Sequence, residues 1–168
     1  ISVSAFLLTR SSDLEISNGG QVFGAGRGLS GRASSVNHSH VVVADEAVVC
    51  NNNNNSSYPV GGNVYGGSYN GTIAEESNVY IFGGRVEGSV FGGSYGNGTT
   101  GTIPAANVTM TGGLVTKGVY GGSNNTGTVG DVEMHIDGGQ VGTATGSGQT
   151  ANIHGGGFVQ NTIISGNV

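Results

Sequence analysis

The amino-acid sequence predicts an all-β fold: a parallel β-helix (β-solenoid) of about six rungs, with 26–29 residues and three short strands per rung. Three observations predict it. An internal pattern recurs along the chain, apolar and polar residues alternate within each copy, and paired glycines separate the apolar patches.

The recurrence fixes the architecture. Val79-Tyr80-Ile81-Phe82-Gly83-Gly84-Arg85-Val86 returns as Val108-Thr109-Met110-Thr111-Gly112-Gly113-Leu114-Val115 and as Met134-His135-Ile136-Asp137-Gly138-Gly139-Gln140-Val141. Leu14–Val22 reads as an earlier copy. Val41–Val48 reads as a copy with Asp45-Glu46 in place of the glycines, and Ile163–Val168 as one broken off in mid-pattern. Measured at positions 20, 46, 84, 113, 139 and 167, the steps are 26, 38, 29, 26 and 28 residues; the long step contains a polar insertion at 51–58. A second motif rides in phase: Val64-Tyr65-Gly66-Gly67-Ser68, Val90-Phe91-Gly92-Gly93-Ser94 and Val119-Tyr120-Gly121-Gly122-Ser123, with Val22-Phe23-Gly24-Ala25-Gly26 as a partial copy. A third follows as Gly71-Thr72-Ile73, Gly101-Thr102-Ile103 and Gly127-Thr128-Val129.

Alternation such as Val79-x-Ile81 and Val108-x-Met110 marks a strand with one buried face. Strands this short cannot bury that face alone, so successive turns stack Val over Val and Ile over Met. Glycine pairs sit at corners, where a Cβ would clash or φ must be positive. Helix is disfavoured, because each interior glycine costs about 1 kcal/mol relative to alanine. Tyr65, Phe91 and Tyr120 share one phase and are expected to form an aromatic ladder, facing inward or outward. Ile1–Leu8 is expected to be a cap or one more strand. Val168 falls in mid-pattern, so the chain is expected to be a piece of a longer array or a unit that stacks end to end through open strand edges.

Composition excludes several classes. The chain of 168 residues suits a single domain. Its 35 glycines accompany only 2 prolines without a triplet period, so it is not collagen. With 35% apolar residues, β-branched ones at fixed intervals, it does not read as disordered. Net charge is −5, and the cations Arg10, Arg27, Arg32, Arg85 and Lys117 are scattered, which argues against a nucleic-acid partner. No apolar run is long enough for a membrane-spanning helix. No signal peptide is visible and the chain does not start with Met, so it is expected to be a processed product or an excerpt. The one cysteine, Cys50, permits no internal disulfide and lies beside five asparagines that offer no activating cation; it reads as a small half-buried apolar residue.

Residues that could carry chemistry have plainer readings. His38-x-His40, with Asp45 and Glu46 near in sequence, could hold a divalent metal, but reads better as a polar loop before Val41 or as imidazoles on a solvated face. Asp45/Glu46, Glu75/Glu76 and Asp131/Glu133 could support sugar cleavage; they fall at different phases, the arginines are isolated, and surface charge is favoured. Calcium-binding nonapeptides are rejected because Asp does not recur in phase. Thr109-x-Thr111 and Thr143-x-Thr145 look like an ice-binding array, but the equivalent pairs Tyr80/Phe82 and His135/Asp137 break it. Asn-x-Ser/Thr sequons start at Asn37, Asn54, Asn55, Asn70, Asn97, Asn107 and Asn124. Asn70, Asn97 and Asn124 follow the Gly-Gly-Ser motif and are the candidate glycosylation sites, against the plainer reading that these residues are good turn formers.

Runs such as Asn78-Val79-Tyr80-Ile81-Phe82-Gly83-Gly84-Arg85-Val86 followed by Val90-Phe91-Gly92-Gly93-Ser94 resemble the Gly-rich repeats of large bacterial surface proteins, similar in style to adhesin and autotransporter-passenger β-helices. The resemblance covers the chain apart from its start and the insertion. It implies a β-helix at the cell surface or outside the cell and brings no catalytic motif.

The expected function is therefore an extracellular structural or adhesive β-solenoid, a passive surface shaft or self-assembling fibre subunit. It has no catalytic residue, cofactor or metal, and a glycan or host-surface ligand is a candidate partner. The alternative is a carbohydrate-binding or carbohydrate-cleaving β-helix. The direction of the Tyr65/Phe91/Tyr120 ladder discriminates: solvated rings beside converging carboxylates favour sugar, and buried rings favour a plain shaft.

Overall fold

The structure, a computed structural model, describes residues 2–7, 15–16, 20–28, 34–50, 62–96, 101–143, 151–158 and 161–168. No helix occurs among them, and the strands come in threes. They are β1 (Ser2–Leu7), β2 (Glu15–Ile16) and β3 (Val22–Phe23); β4 (Ser34–Val43), β5 (Val48–Val49) and β6 (Val64–Tyr65); β7 (Gly71–Ile81), β8 (Arg85–Val86) and β9 (Ser89–Phe91); β10 (Thr102–Met110), β11 (Leu114–Val115) and β12 (Gly118–Tyr120); β13 (Thr126–Ile136), β14 (Gln140–Val141) and β15 (Asn152–His154); then β16 (Asn161–Ile164).

The first member of each triplet joins a six-stranded sheet, β1-β4-β7-β10-β13-β16. The second members form a five-stranded sheet, β14-β11-β8-β5-β2, and the third another, β15-β12-β9-β6-β3. Every strand pair is parallel. A chain that adds one strand to each of three parallel sheets per circuit is a parallel β-helix.

Like residues pile up as the alternation requires. Val41, Val79, Val108 and Met134 are paired neighbours in the first sheet, as are Val43, Ile81, Met110 and Ile136. Val49, Val86, Val115 and Val141 continue the pattern in the second sheet. Val64, Val90, Val119 and Ile153 continue it in the third. Columns from all three sheets meet in one apolar cluster. A second cluster gathers Ile73, Ile103, Ala106, Val129 and Val132 under the first half of the long strands.

Three details differ from the sequence reading. The Gly-Thr-Ile patch is not a separate strand: in β7 it runs unbroken from Gly71 into Val79-x-Ile81, and the residues after each Gly-Gly corner form the short strand instead. The long strand accommodates the join by an irregularity, with the register slipping between Val36 and His38. Glu75 and Glu76 consequently both reach solvent. The phase of the outer copies also shifts. Ser2–Leu7 is the strand beside Val41–Val43, whereas Glu15-Ile16 pairs with Val48-Val49 in the second sheet. Ile163-Ile164 pairs with Thr128-Val129, not with the Met134–Ile136 stretch. Finally, the interval of 26–29 residues holds in the middle: Val79 faces Val108, 29 residues on, and Val108 faces Met134, 26 on. It is 36 from Ser2 to His38, 38 from Val41 to Val79 and 35 from Thr126 to Asn161. The longer circuits contain residues 8–14, 51–61 and 144–150, outside the described residues.

The two glycine pairs serve different ends. At the first corner Gly84, Gly113 and Gly139 have φ of 71°, 77° and 85°, a left-handed backbone that a Cβ disfavours. The Asp45-Glu46 copy is one residue longer there and places Asp45 at φ 52°, a conformation short polar side chains tolerate. At the second corner the need is space: a Cβ on Gly66 would collide with the carbonyl oxygen of Gly92, and one on Gly92 with that of Gly121. The same carbonyls hold the corner to the first sheet. Buried Ser39 Oγ donates to Gly66 O and buried Ser77 Oγ to Gly92 O, each at 2.6 Å.

Candidate functional site: two aromatic columns and an outer polar face

Tyr65, Phe91 and Tyr120 end the short strands β6, β9 and β12, in register with Phe23 of β3. Parallel register places each ring directly above the last. Phe23 and Tyr65 stack with centroids 4.8 Å apart and planes 9° apart; Tyr65 on Phe91 and Phe91 on Tyr120 are both at 5.0 Å, with planes at 8° and 11°. His154 continues the stack at 5.5 Å from Tyr120. The three expected rings are 0%, 2% and 4% exposed, so this ladder points inward. Tyr65 Oη accepts from Asn124 Nδ2 at 3.1 Å and Asn63 Nδ2 at 3.3 Å. Burial nevertheless pushes its phenol well above the ordinary value of 10.0, because the loss of hydration outweighs the two donors.

A second column, which the sequence reading did not single out, runs outside the first. Arg27, Tyr69, Tyr95 and Asn124 are bridged in succession. One repeated backbone contact extends the series: Tyr95 N donates to Ser68 O, Asn124 N to Ser94 O and Phe158 N to Ser123 O. The Arg27 guanidinium lies 5.1 Å from the Tyr69 ring centre, and Tyr69 stacks on Tyr95 at 5.2 Å. Tyr95 meets the inner ladder edge-on at Tyr65, and Phe158 does so at Tyr120. Desolvation raises the Tyr95 phenol, and the neighbouring Tyr69 adds to it. The signal was legible, since Ser68-Tyr69 and Ser94-Tyr95 recur directly after the glycine pairs.

The ionisable groups stay apart. His38 lies between Glu75 and Glu76 of the neighbouring turn, Nε2 at 3.0 Å from Glu75 and Nδ1 at 3.6 Å from Glu76, rather than with Asp45 and Glu46. Asn37 Nδ2 donates to the same Glu75. Across the sheet, Glu133 pairs with His135 at 2.8 Å, and Asp131 accepts from Asn167 N. Arg85 pairs with Glu87, whose other oxygen accepts from Cys50 Sγ at 3.2 Å. Among the described residues, no group of three or more His, Cys, Asp or Glu is arranged to hold a metal ion. Thr109 pairs with Tyr80 and His135, so no threonine array forms around it; Thr145 lies outside the described residues.

Of the candidate glycosylation asparagines, Asn70 and Asn124 do not share a position. Asn124 stands level with Tyr69 and Tyr95, and its amide is drawn inward to Tyr65. Asn70 adopts a left-handed backbone at φ 53°, as does Asn125, the residue after Asn124, at 75°. Asn97, Asn54 and Asn55 lie outside the described residues. The amides of Asn37 and Asn107 are engaged with Glu75 and Asn78.

Beyond Val132, Met134 and Ile136 the core opens into an apolar cavity of about 450 Å³, completed by Ile153, Gly155 and Val168. Among the described residues no helix is long and apolar enough to cross a membrane. No family model, curated protein or solved structure matches this chain.

Proposed function

We propose that the protein is an extracellular or cell-surface structural shaft, adhesive or fibre-forming, with no catalytic role. One observation carries this reading: buried columns run through successive turns of all three sheets, while Glu75 and Glu76 contact His38, and Glu133 contacts His135, at separate places outside those columns. Sugar cleavage by paired carboxyls needs two of them facing one bond at a set separation. Glu75/Glu76 and Asp131/Glu133 instead spend contacts on His38, Asn37, Asn167 and His135. The inward ladder also favours a shaft, since its ring faces are consumed by one another. The shaft elongates by adding parallel turns over the apolar surface around Met134 and Ile136.

Electron microscopy of the purified chain, with incubation on a glycan panel, tests the reading. Rods or filaments with no unsaturated or shortened glycan products are expected. Compact, non-elongated particles, or turnover of any glycan, would overturn it.

A further inference from the structure

The core is open at the end that carries β13, β14 and β15. Val108, Met110, Val115 and Val119 are fully buried. The residues that follow them in the same columns are not: Met134, Ile136 and Val141 are half-buried and Ile153 is 56% exposed. Of the five exposed large apolar residues among those described, Ile153, Phe158, Ile163 and Val168 lie beyond β14, at the end where the cavity of about 450 Å³ opens. The backbone is open there too. Val132 N donates to Asn167 O, whereas Asp137 N donates to Met110 O on the opposite side. Backbone groups of a parallel strand alternate between its two neighbours, so those of Met134 and Ile136 face away from β10. No described strand pairs with them on that side.

The opposite end has the matching shape. β16 pairs with Thr126–Val129 and covers only the first half of β13, which makes a half-turn step. β1 pairs with His38–Val43 and covers only the second half of β4, which leaves a half-turn notch beside Ser34–Val36. We propose that the partner of the open end is the first turn of a second copy of this chain, stacked head to tail and in register, with step seated in notch. Val36 of the incoming copy then lies over Ile164, and Val22 over Ile153. Phe23 lies over His154, the exposed end of the inner ladder. Ala5 and Leu7 stand level with Met134 and Ile136, and the backbone of Phe6 between them faces the open groups of both. Ser2–Ser4 stand level with Asp131–Glu133, where Asn167 is already bonded, so Gly166–Val168 give way on assembly. Such a contact is heterologous, and repeating it builds an open filament. The inference rests on the shaft reading, to which it adds a partner and a direction.

The test uses the full chain, followed by sedimentation velocity and electron microscopy. Wild-type stacks that lengthen with concentration are expected. Ile136→Lys with Ile153→Lys puts two charges on the open end at places that are not fully buried. This double variant should stay single, with an unchanged circular dichroism spectrum. Added to wild type in minor proportion, it should still shorten the stacks, because its first turn docks while its last accepts no successor. Removal of Gly166–Val168 should let stacks form at lower concentration. Thr109→Cys with Cys50→Ser carries one spin label per chain. Each smaller sheet has five strands per copy, so labels on successive copies should lie about 24 Å apart. Single chains at every concentration, assembly that stops at two copies, a label spacing far from that value, or stacks abolished by removing Gly166–Val168 would overturn the proposal. Filaments that ignore the lysines would sink this pairing and leave the shaft standing, whereas turnover of a glycan would sink the shaft reading.

Discussion

Removal of the central ring of the inner ladder measures how much the fold depends on stacking across turns. Phe91 is 2% exposed and lies between Tyr65 and Tyr120, 5.0 Å from each. Phe91→Ala forfeits the burial of the ring and opens a cavity, together worth about 3–5 kcal/mol for a core Phe. It also deletes three ring pairs, with Tyr65, Tyr120 and, edge-on, Phe158, each worth roughly 0.5–1.5 kcal/mol beyond burial, part of which that range already includes. Phe23, at the end of the same column, is only half-buried and stacks on one described ring of the ladder, so Phe23→Ala should cost well under half as much. Urea denaturation followed by circular dichroism reads the difference as a midpoint shift at constant slope. Phe91→Leu keeps most of the volume and guards against outright misfolding; it should retain two-state behaviour at a smaller cost. Equal costs for Phe91→Ala and Phe23→Ala, or a loss below about 1 kcal/mol for Phe91→Ala, would refute the reasoning.

Other outcomes follow from the same geometry. Ser77→Ala leaves Gly92 O without its buried donor and should cost about 1–3 kcal/mol by denaturation, held toward the lower figure because Ala106 already fills the equivalent place one turn on. Gly113→Ala forces a Cβ into a left-handed corner beside Gly83 O and should cost at least about 1–2 kcal/mol, whereas Asp45→Ala, at a roomier corner of similar φ, should cost less. The Tyr65 phenol sits above its unfolded value, so its stabilising effect is complete below about pH 10 and lost as pH rises toward the folded value. An alkaline denaturation series should therefore fall more gently in Tyr65→Phe than in the wild type.

Much of the architecture was legible because each level repeats one residue type in one place. The columns Val41/Val79/Val108 and Tyr65/Phe91/Tyr120 could be read by aligning glycine pairs, and the paired strands carry them in that register. Short apolar-x-apolar stretches could not be assigned to a sheet. Leu14-x-Ile16 and Val79-x-Ile81 look alike locally, yet Ile16 belongs over Val49 in the second sheet. Circuits of unequal length remove the spacing that would have told them apart. The same local likeness misplaced Ile163-Ile164, which stacks on Thr128-Val129. Hydrogen-bond partners across turns were not legible at all: His38 lies opposite Glu76 and against Glu75 only once the chain's turns are set in register, with a slip of one beside it. Asn124 looked like Asn70 as a sequon, but counting from the preceding serine puts it one residue earlier, level with the tyrosines.

The winding itself is best tested by a distance. Val42 and His135 are 93 residues apart in sequence, but Val42 pairs with Tyr80, Tyr80 with Thr109 and Thr109 with His135. Three strand spacings place their backbones about 14 Å apart. Spin labels at Val42→Cys and His135→Cys, with Cys50→Ser to remove the native thiol, report this separation by electron paramagnetic resonance. A single narrow distribution within a few ångströms of about 14 Å is expected. A broad distribution, or one centred beyond about twice that spacing, would contradict a chain wound in parallel turns.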